Sequence, residues 1–354
     1  MCALHKHETI FQHLQQAIKR GSFKQGGKLP SEIALARKFG VSRPTVAQAL
    51  RELQRLELVE RHPGSGSFVK RTPLSTGTLG LLAEGLGRTE VMEPISAEIA
   101  RAARLTGWDV LIGTAIADRP PDIIAREWSG RGVAGVFFAP LEHHPVRTGV
   151  NRALVERLRH QGLAVVLLDR DVEEFPARSD CDLVAMDDFF AGFDLAAHIL
   201  DTGAKRLVLL ARPEYPATTN LRLSGARAAV ERVENARIDF VVAHPEDETR
   251  MRKMLAKTKP DAVICSNDAT AAALLQTCAR LGPAVVSRKM KFAGFDDVRY
   301  ASLLTPPLTT MRQPCEALGI AAVETMLGRL RQPQMPARRV LLRADLVARA
   351  STLA

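Results

Sequence analysis

Lys28 to Val69 reads KLPSEIALARKFGVSRPTVAQALRELQRLELVERHPGSGSFV, and its apolar residues sort into two short helices and a hairpin. Ser31 and Glu32 follow Pro30, and Ile33, Leu35, Ala36 and Phe39 then recur at helical spacing, which predicts a capped amphipathic helix ending near Gly40. Val41 and Ser42 make a turn. Ser42 is placed as an N-cap, and Pro44 suits a first helical turn, where a missing N–H costs little. A second helix is expected from about Arg43 to Leu56, with Val46, Ala49, Leu50 and Leu53 inward and Arg43, Thr45, Ala47 and Gln48 free at its start. This is the helix-turn-helix arrangement. Leu58 and Val59 then alternate with charged residues, Pro63, Gly64 and Gly66 turn the chain, and Phe68 and Val69 return as a wing.

Leu29-Pro30-Ser31-Glu32, Val41 to Val46, Ala49-Leu50 and Gly64 to Val69 resemble the winged helix-turn-helix of GntR-type bacterial repressors, from about Glu8 to Val69. The resemblance implies that Arg43 and Thr45 contact bases or phosphates and that Gly64 lets the wing approach the minor groove. The candidate DNA-binding set is Ser31, Ser42, Arg43, Pro44, Thr45, Gln48, Arg51, Arg61, His62, Gly64 and Ser65. Two positions depart from the family pattern, because Ile33 and Ala47 stand where Arg is common. An operator unlike the usual half-site is therefore expected. Gln48 is either a reader of adenine or a solvated helix residue.

A chain of 354 residues suggests two or three domains, and 46% apolar content supplies ample core. Its formal charge of +10 is uneven: residues 1–75 hold 13 Lys or Arg against 5 Asp or Glu, a balance of +8, which leaves +2 for the rest. Positive charge confined to a helix-turn-helix is what phosphate neutralisation requires. No run of about 18 apolar residues and no signal-peptide pattern occur, so a cytoplasmic protein without membrane association is expected. Cys2, Cys181, Cys265, Cys278 and Cys315 are scattered, as reduced thiols would be. His5, His7 and His13 lack a companion ligand set, and Ile10, Leu14, Ala17 and Ile18 make that stretch a helix of the winged domain. No metal or cofactor is expected.

KRTPLSTG, Lys70 to Gly77, has the composition of a linker. The expected domains are 1–70, a winged helix-turn-helix; 71–77, a linker; and 78–354. In the last, apolar runs at Thr78–Ala83, Trp108–Thr114, Gly135–Phe138, Ala164–Leu168, Leu207–Leu210, Val241–Ala243, Ala262–Cys265 and Lys291–Ala293 alternate with helical patterns. Alternation of this kind implies an α/β fold with parallel sheets covered on both faces, and eight to ten strands imply more than one sheet.

In such folds ligands bind beyond the carboxyl ends of strands. Asp169 follows Val165 to Leu168, Arg222 opens a helix after Leu207 to Ala211, Asn267 follows Val263 to Ser266, and Asp296 follows Phe292 to Phe295. Carboxylates, an amide and a guanidinium suit hydroxyl-rich ligands, because each makes paired hydrogen bonds. Asn267 and Asp296 could instead cap backbone groups, and Arg222 could pair with Asp296 or Asp268. Asp169 and Arg170, as neighbours on an extended chain, are expected to point apart. Glu84 is a further polar candidate. Phe137, Phe138, Phe190 and Trp128 are candidate platforms for a sugar face or core residues, Phe138 being taken as a contact.

Leu168-Asp169-Arg170, Arg222 to Gly225, Cys265 to Asp268, Gly294 to Asp297, Pro307 to Gln313 and Leu346 to Arg349 resemble, in order, the effector domain of LacI and GalR regulators. The resemblance implies a two-lobed fold like that of periplasmic sugar-binding proteins, with three chain crossings. Lobe one would hold about 77–182 and 312–341, lobe two 183–311 and the C-terminal tail. It also implies Asp169, Arg222, Asn267 and Asp296 as effector contacts. A GntR-type domain replaces the usual LacI-type one, similar to the arabinose-responsive repressor architecture. The expected function is a ligand-responsive regulator, a repressor binding operator DNA as a homodimer under control of a sugar or related polyol. A sugar- or nucleobase-binding module and a sugar-processing enzyme are the alternatives. The enzyme reading finds no nucleophile-base pair, metal set or cofactor loop to support it.

Overall fold

The computed structural model describes residues 4–19, 22–23, 26–55, 58–62, 65–70, 77–83, 90–114, 119–141, 145–174, 177–213 and 215–353. The chain divides into two compact units, residues 1–77 with 103–109, and residues 78–102 with 110–354.

The first unit carries α1 (Leu4–Lys19), α2 (Glu32–Phe39), α3 (Arg43–Arg55) and the antiparallel pair β1 (Val59–His62) and β2 (Gly66–Val69). Ser31 caps α2, its hydroxyl accepting the Ala34 N–H at 3.2 Å. Gly40 ends it at φ +62°, a left-handed geometry that costs a residue without Cβ little. Ser42 behaves differently from the expected cap: its Oγ lies 2.8 Å from Thr45 Oγ1 rather than on a backbone N–H. Ile10, Leu14 and Ile18 of α1 pack with Leu35, Val46, Ala49, Leu50 and Leu53 into one core. Ile33, expected on the inner face, is 49% exposed, because Leu35 takes the buried position of that short helix.

In the second unit the chain runs through β3 (Thr78–Ala83), α4 (Met92–Leu105), β4 (Asp109–Gly113), α5 (Pro121–Gly130), β5 (Val133–Ala139), α6 (Pro145–His160), β6 (Ala164–Leu168) and β7 (Asp182–Met186). It continues through α7 (Asp188–Asp201), β8 (Arg206–Ala211), α8 (Thr218–Val230), β9 (Arg237–Val242), α9 (Glu248–Thr258), β10 (Ala262–Cys265), α10 (Asp268–Leu281), β11 (Lys291–Asp296) and β12 (Thr309–Arg312). The last elements are α11 (Cys315–Arg331), β13 (Arg339–Leu342), β14 (Asp345–Val347) and α12 (Ala350–Leu353). Two six-stranded sheets result, ordered β13-β7-β6-β5-β3-β4 and β14-β12-β11-β10-β8-β9.

The chain passes between the sheets three times, after Met186, after Arg312 and after Leu342. The first crossing lies later than the expected one at residue 182. β7 pairs with β6 and β13, so residues 183–186 belong to the first lobe. In the second sheet the period-two alternation sends Leu207 and Leu209 toward α7 and α8, and Val208 and Leu210 toward α9 and α10. Helices α7 and α8 meet backbone to backbone: a Cβ on Gly192 would fall 2.0 Å from the Arg222 carbonyl oxygen, and one on Gly225 1.8 Å from that of Phe189.

Candidate functional site

The helix-turn-helix presents Ser31, Ser42, Arg43, Pro44, Gln48, Arg51, Arg61, His62 and Ser65 as exposed residues, with Thr45 half-buried beside them. Buried Val46, Ala49, Leu50 and Leu53 fix the opposite side of α3, so its polar start is turned outward by packing. Glu32, at the start of α2, lies 3.9 Å from Arg43 of α3 and is ion-paired with Arg61 of the wing, linking the three elements. The His62 ring stands edge-on to Phe68 with centroids 5.3 Å apart. Gly64 lies outside the described residues.

In the two-lobed unit the strand ends converge as a group. Arg222 is 4% exposed; its Nε donates to Asp188 Oδ1 at 2.7 Å and its Nη1 to the Ser266 carbonyl at 2.5 Å. Its guanidinium lies 4.5 Å over the Phe295 ring, which helps hold a charge with so little water. Asp169, Asp188 and Asp296 all act on this one guanidinium; burial opposes its charge, and the carboxylates hold its pKa above the ordinary value. The partner is therefore Asp188, not Asp296 or Asp268 as the sequence reading allowed. Asp188 was missed because the close packing of α7 on α8 that joins it to Arg222 is not written in either stretch.

Asp169 stands at φ 68°, and Arg170 Nε donates to its Oδ2 at 2.8 Å. The expectation that the two point apart is overturned, since a left-handed residue interrupts the extended chain that would have separated them. Asp296, at φ 110°, accepts a hydrogen bond from Gln313 Nε2 at 2.7 Å. Asp268 is fully buried and accepts from Thr310 Oγ1 at 2.7 Å and from the Val298 N–H at 3.1 Å. Gly294 makes room for it, because a Cβ there would fall 2.2 Å from Asp268 Oδ1. Arg170 and Gln313 were legible only as parts of motifs, without a role of their own.

Burial pushes the Asp188 carboxyl up to about 7 although Arg222 pulls the other way. It pushes Asp296 up to about 6, again against Arg222, and Asp268 up to about 8, with the neighbouring Asp296 adding to the effect. Asp188 and Asp296, carboxyls that resist ionisation beside one guanidinium, are suited to accept hydroxyl protons and to donate in return.

The remaining candidates separate. Asn267 caps α10 by accepting the Thr270 N–H at 2.8 Å. Phe138 is corrected from contact to core: it is fully buried among Leu82, Ile124, Val136 and Leu167, so no ring face is left for a ligand. Phe137 and Trp128 are buried too, whereas Phe190 is 55% exposed on the first turn of α7. Glu84 lies outside the described residues. Across the lobes, Glu90 Oε2 accepts the Arg299 N–H at 2.9 Å.

A protein built this way is a DNA-binding regulator with an effector domain of the periplasmic-binding-protein type. Residues 6–69 match the family of bacterial regulatory proteins of the gntR type, and residues 196–352 match the periplasmic binding protein-like domain. The arabinose metabolism transcriptional repressor of Geobacillus stearothermophilus is 25% identical over 99% of this chain and 98% of its own. The ribose operon repressor of Bacillus subtilis is 27% identical over 76% of this chain and 80% of its own. A solved periplasmic binding protein/LacI regulator from Alkaliphilus metalliredigens, complexed with D-xylulofuranose, shares the fold with a TM-score of 0.63 at 18% identity, covering 78% of this chain and 99% of its own. The chain is a transcriptional regulator that joins a GntR-type helix-turn-helix to a periplasmic-binding-protein-like domain.

Proposed function

We propose that this regulator is a repressor that binds a two-fold operator as a homodimer in the cytoplasm and responds to a neutral saccharide held between its lobes. The buried cluster around Arg222 carries the ligand half of this reading. Asp169, Asp188 and Asp296 stand against Arg222 and Arg170, and burial holds Asp188 and Asp296 toward the neutral form, so the cleft carries little net charge and favours uncharged hydroxyl-rich ligands. Asp169, Arg222, Asn267 and Asp296 are the proposed contacts, with Arg170 and Gln313 joining them. Arabinose and ribose repressors among the relatives make pentoses the first compounds to try.

The DNA half rests on the exposed start of α3 and on the basic excess of residues 1–75. A dimer sets two such helices on successive major grooves. Residues 71–77 are the proposed linker between a DNA-binding domain at 1–70 and an effector domain at 78–354. Ligand closes the lobes, which moves the paired α3 helices out of register and lowers operator affinity 5- to 150-fold for a coupling of about 1–3 kcal/mol.

A thermal-shift screen of the whole chain against neutral pentoses and hexoses, uronic acids and nucleosides tests this. One neutral sugar should raise the melting temperature, through about 2.7 kcal/mol at 100 times its Kd, and release DNA in a gel-shift assay. Stabilisation by uronic acids alone, or by a sugar that leaves DNA affinity unchanged, overturns it.

A further inference from the structure

The second sheet has another concave site, at the end opposite the effector cleft. A cavity of about 350 Å³ lies where β8, β10 and β11 begin, between the loops that lead into them from α7, α9 and α10. Its polar lining includes Arg206, Lys259, Asp261, Ser287, Lys289 and Lys291, and its apolar wall is Leu255, Pro260, Val285 and Met290. The size falls within the range of small-molecule sites.

The charges in this cavity are not balanced. Asp261, the one acid among the lining residues, is already engaged: its Oδ2 accepts the Lys205 and Arg206 N–H groups at 3.0 and 2.9 Å, and its Oδ1 takes the Arg206 guanidinium at 2.6 Å. Those bonds hold its pKa down to about 2, so it stays with Arg206. Lys291 spends one of its ammonium hydrogens on the Thr352 carbonyl at 3.1 Å. Among the described residues no acid pairs with Lys259 or Lys289. Asp201, next to Thr202 of the rim, is felt by His198 rather than lining the cavity. Three ammonium groups therefore remain around one concavity, in a stretch of chain whose share of the net charge is only +2 over residues 76–354.

We propose that this cavity is a second effector site, for a small phosphorylated metabolite. A phosphate monoester is a dianion that the three lysines lining one concavity can answer, whereas a monocarboxylate leaves two of them unanswered. The Ser287 hydroxyl adds a donor, and its oxygen already accepts the Lys289 N–H at 3.2 Å, which sets its direction. The carbon part of the ligand lies on Leu255, Val285 and Met290. Of the strands that start here, β10 and β11 lead to Asn267 and Asp296 at their far ends, roughly 13–20 Å away by strand length. The carboxylate-rich cleft and the lysine-rich cavity thus sort ligands by charge, and the second site does not depend on what the first one binds.

Isothermal titration of the whole chain with ribose 5-phosphate, inorganic phosphate and ribose, at low salt, tests the site. Ribose 5-phosphate should bind the unaltered chain and lose at least tenfold in affinity with Lys259→Gln and Lys289→Gln combined, both being exposed positions that leave the melting temperature in place. Asp296→Asn, in the cleft, should leave that affinity unchanged, so a failure of the sugar reading is seen separately. Equal affinity for inorganic phosphate overturns the assignment to an organic phosphate. Absence of binding, or binding lost in Asp296→Asn and kept in the lysine variant, overturns the site altogether.

Discussion

Arg222 and Asp188 form an ion pair at 2.7 Å with both side chains almost entirely withdrawn from water, and they come from adjacent helices that touch through glycine. A buried pair of this kind is not by itself a source of stability, but breaking it leaves a charge without a partner. Arg222→Ala should therefore destabilise the effector domain by about 3–5 kcal/mol. The loss should be smaller in mild acid, because Asp188, already pushed up to about 7, protonates more readily once alone. Urea unfolding at pH 6 and pH 8 checks both statements, and Arg222→Lys, which keeps charge but not the planar fork, should recover part of the stability and none of the ligand response.

The three raised carboxyls make stability fall with pH. Asp296, Asp188 and Asp268 are pushed to about 6, 7 and 8 from an ordinary 3.8. The folded chain therefore binds more protons than the unfolded one between pH 4 and 8, and the stabilisation present below about 4 is lost as pH rises through the folded values. Each such group contributes a slope of up to about 1.4 kcal/mol per pH unit. Asp268→Asn should flatten the curve most above pH 7, as read from unfolding midpoints at pH 5, 6.5 and 8.

Gly225 has no room for a side chain, since its Cβ would meet the Phe189 carbonyl oxygen at 1.8 Å. Gly225→Ala should push α8 off α7, cost about 1–3 kcal/mol of stability and weaken effector binding by moving Arg222. Ser224→Ala, at an exposed neighbour, should do neither. Thermal melting with and without the effector separates the two.

On the DNA side, Arg43→Ala should weaken operator binding and leave effector affinity intact. If Arg43 meets a phosphate, the slope of affinity against salt drops by about 1; if it meets a base pair, discrimination at that position falls by about 1–3 kcal/mol. Fluorescence anisotropy over a salt series distinguishes them. Glu32→Gln should alter operator affinity without changing the fold of α2, because it releases Arg43 and Arg61 together.

Much of this arrangement was open to reading in the chain. β3, β6 and β10 fall on the residues their apolar runs predicted, and α10 begins and ends as expected. β9 begins earlier than its apolar run, at Arg237, because Arg237, Ile238, Asp239 and Phe240 pair alongside β8 despite their mixed polarity. β7 was assigned to the wrong lobe, since its place depends on β6 and on β13, the latter more than 150 residues further along. The lysine cavity had no motif at all: Arg206, Lys259 and Lys289 are far apart in sequence and meet only because three strands start side by side.

Local periodicity, caps and motif order are properties of neighbouring residues, so the winged helix-turn-helix, the β/α alternation and the strand-end positions of Asp169, Asn267 and Asp296 could be read from the chain alone, whereas Arg222, expected to open a helix, lies in the second turn of α8. Partnership is a property of space. That Arg222 belongs to Asp188, that Asp169 turns to meet Arg170 at φ 68°, and that Phe138 faces the core are set by sheet order, by helix contact through Gly192 and Gly225, and by one left-handed residue. The carboxyl pKa values follow from the same source, because burial is fixed only when distant segments close over a side chain.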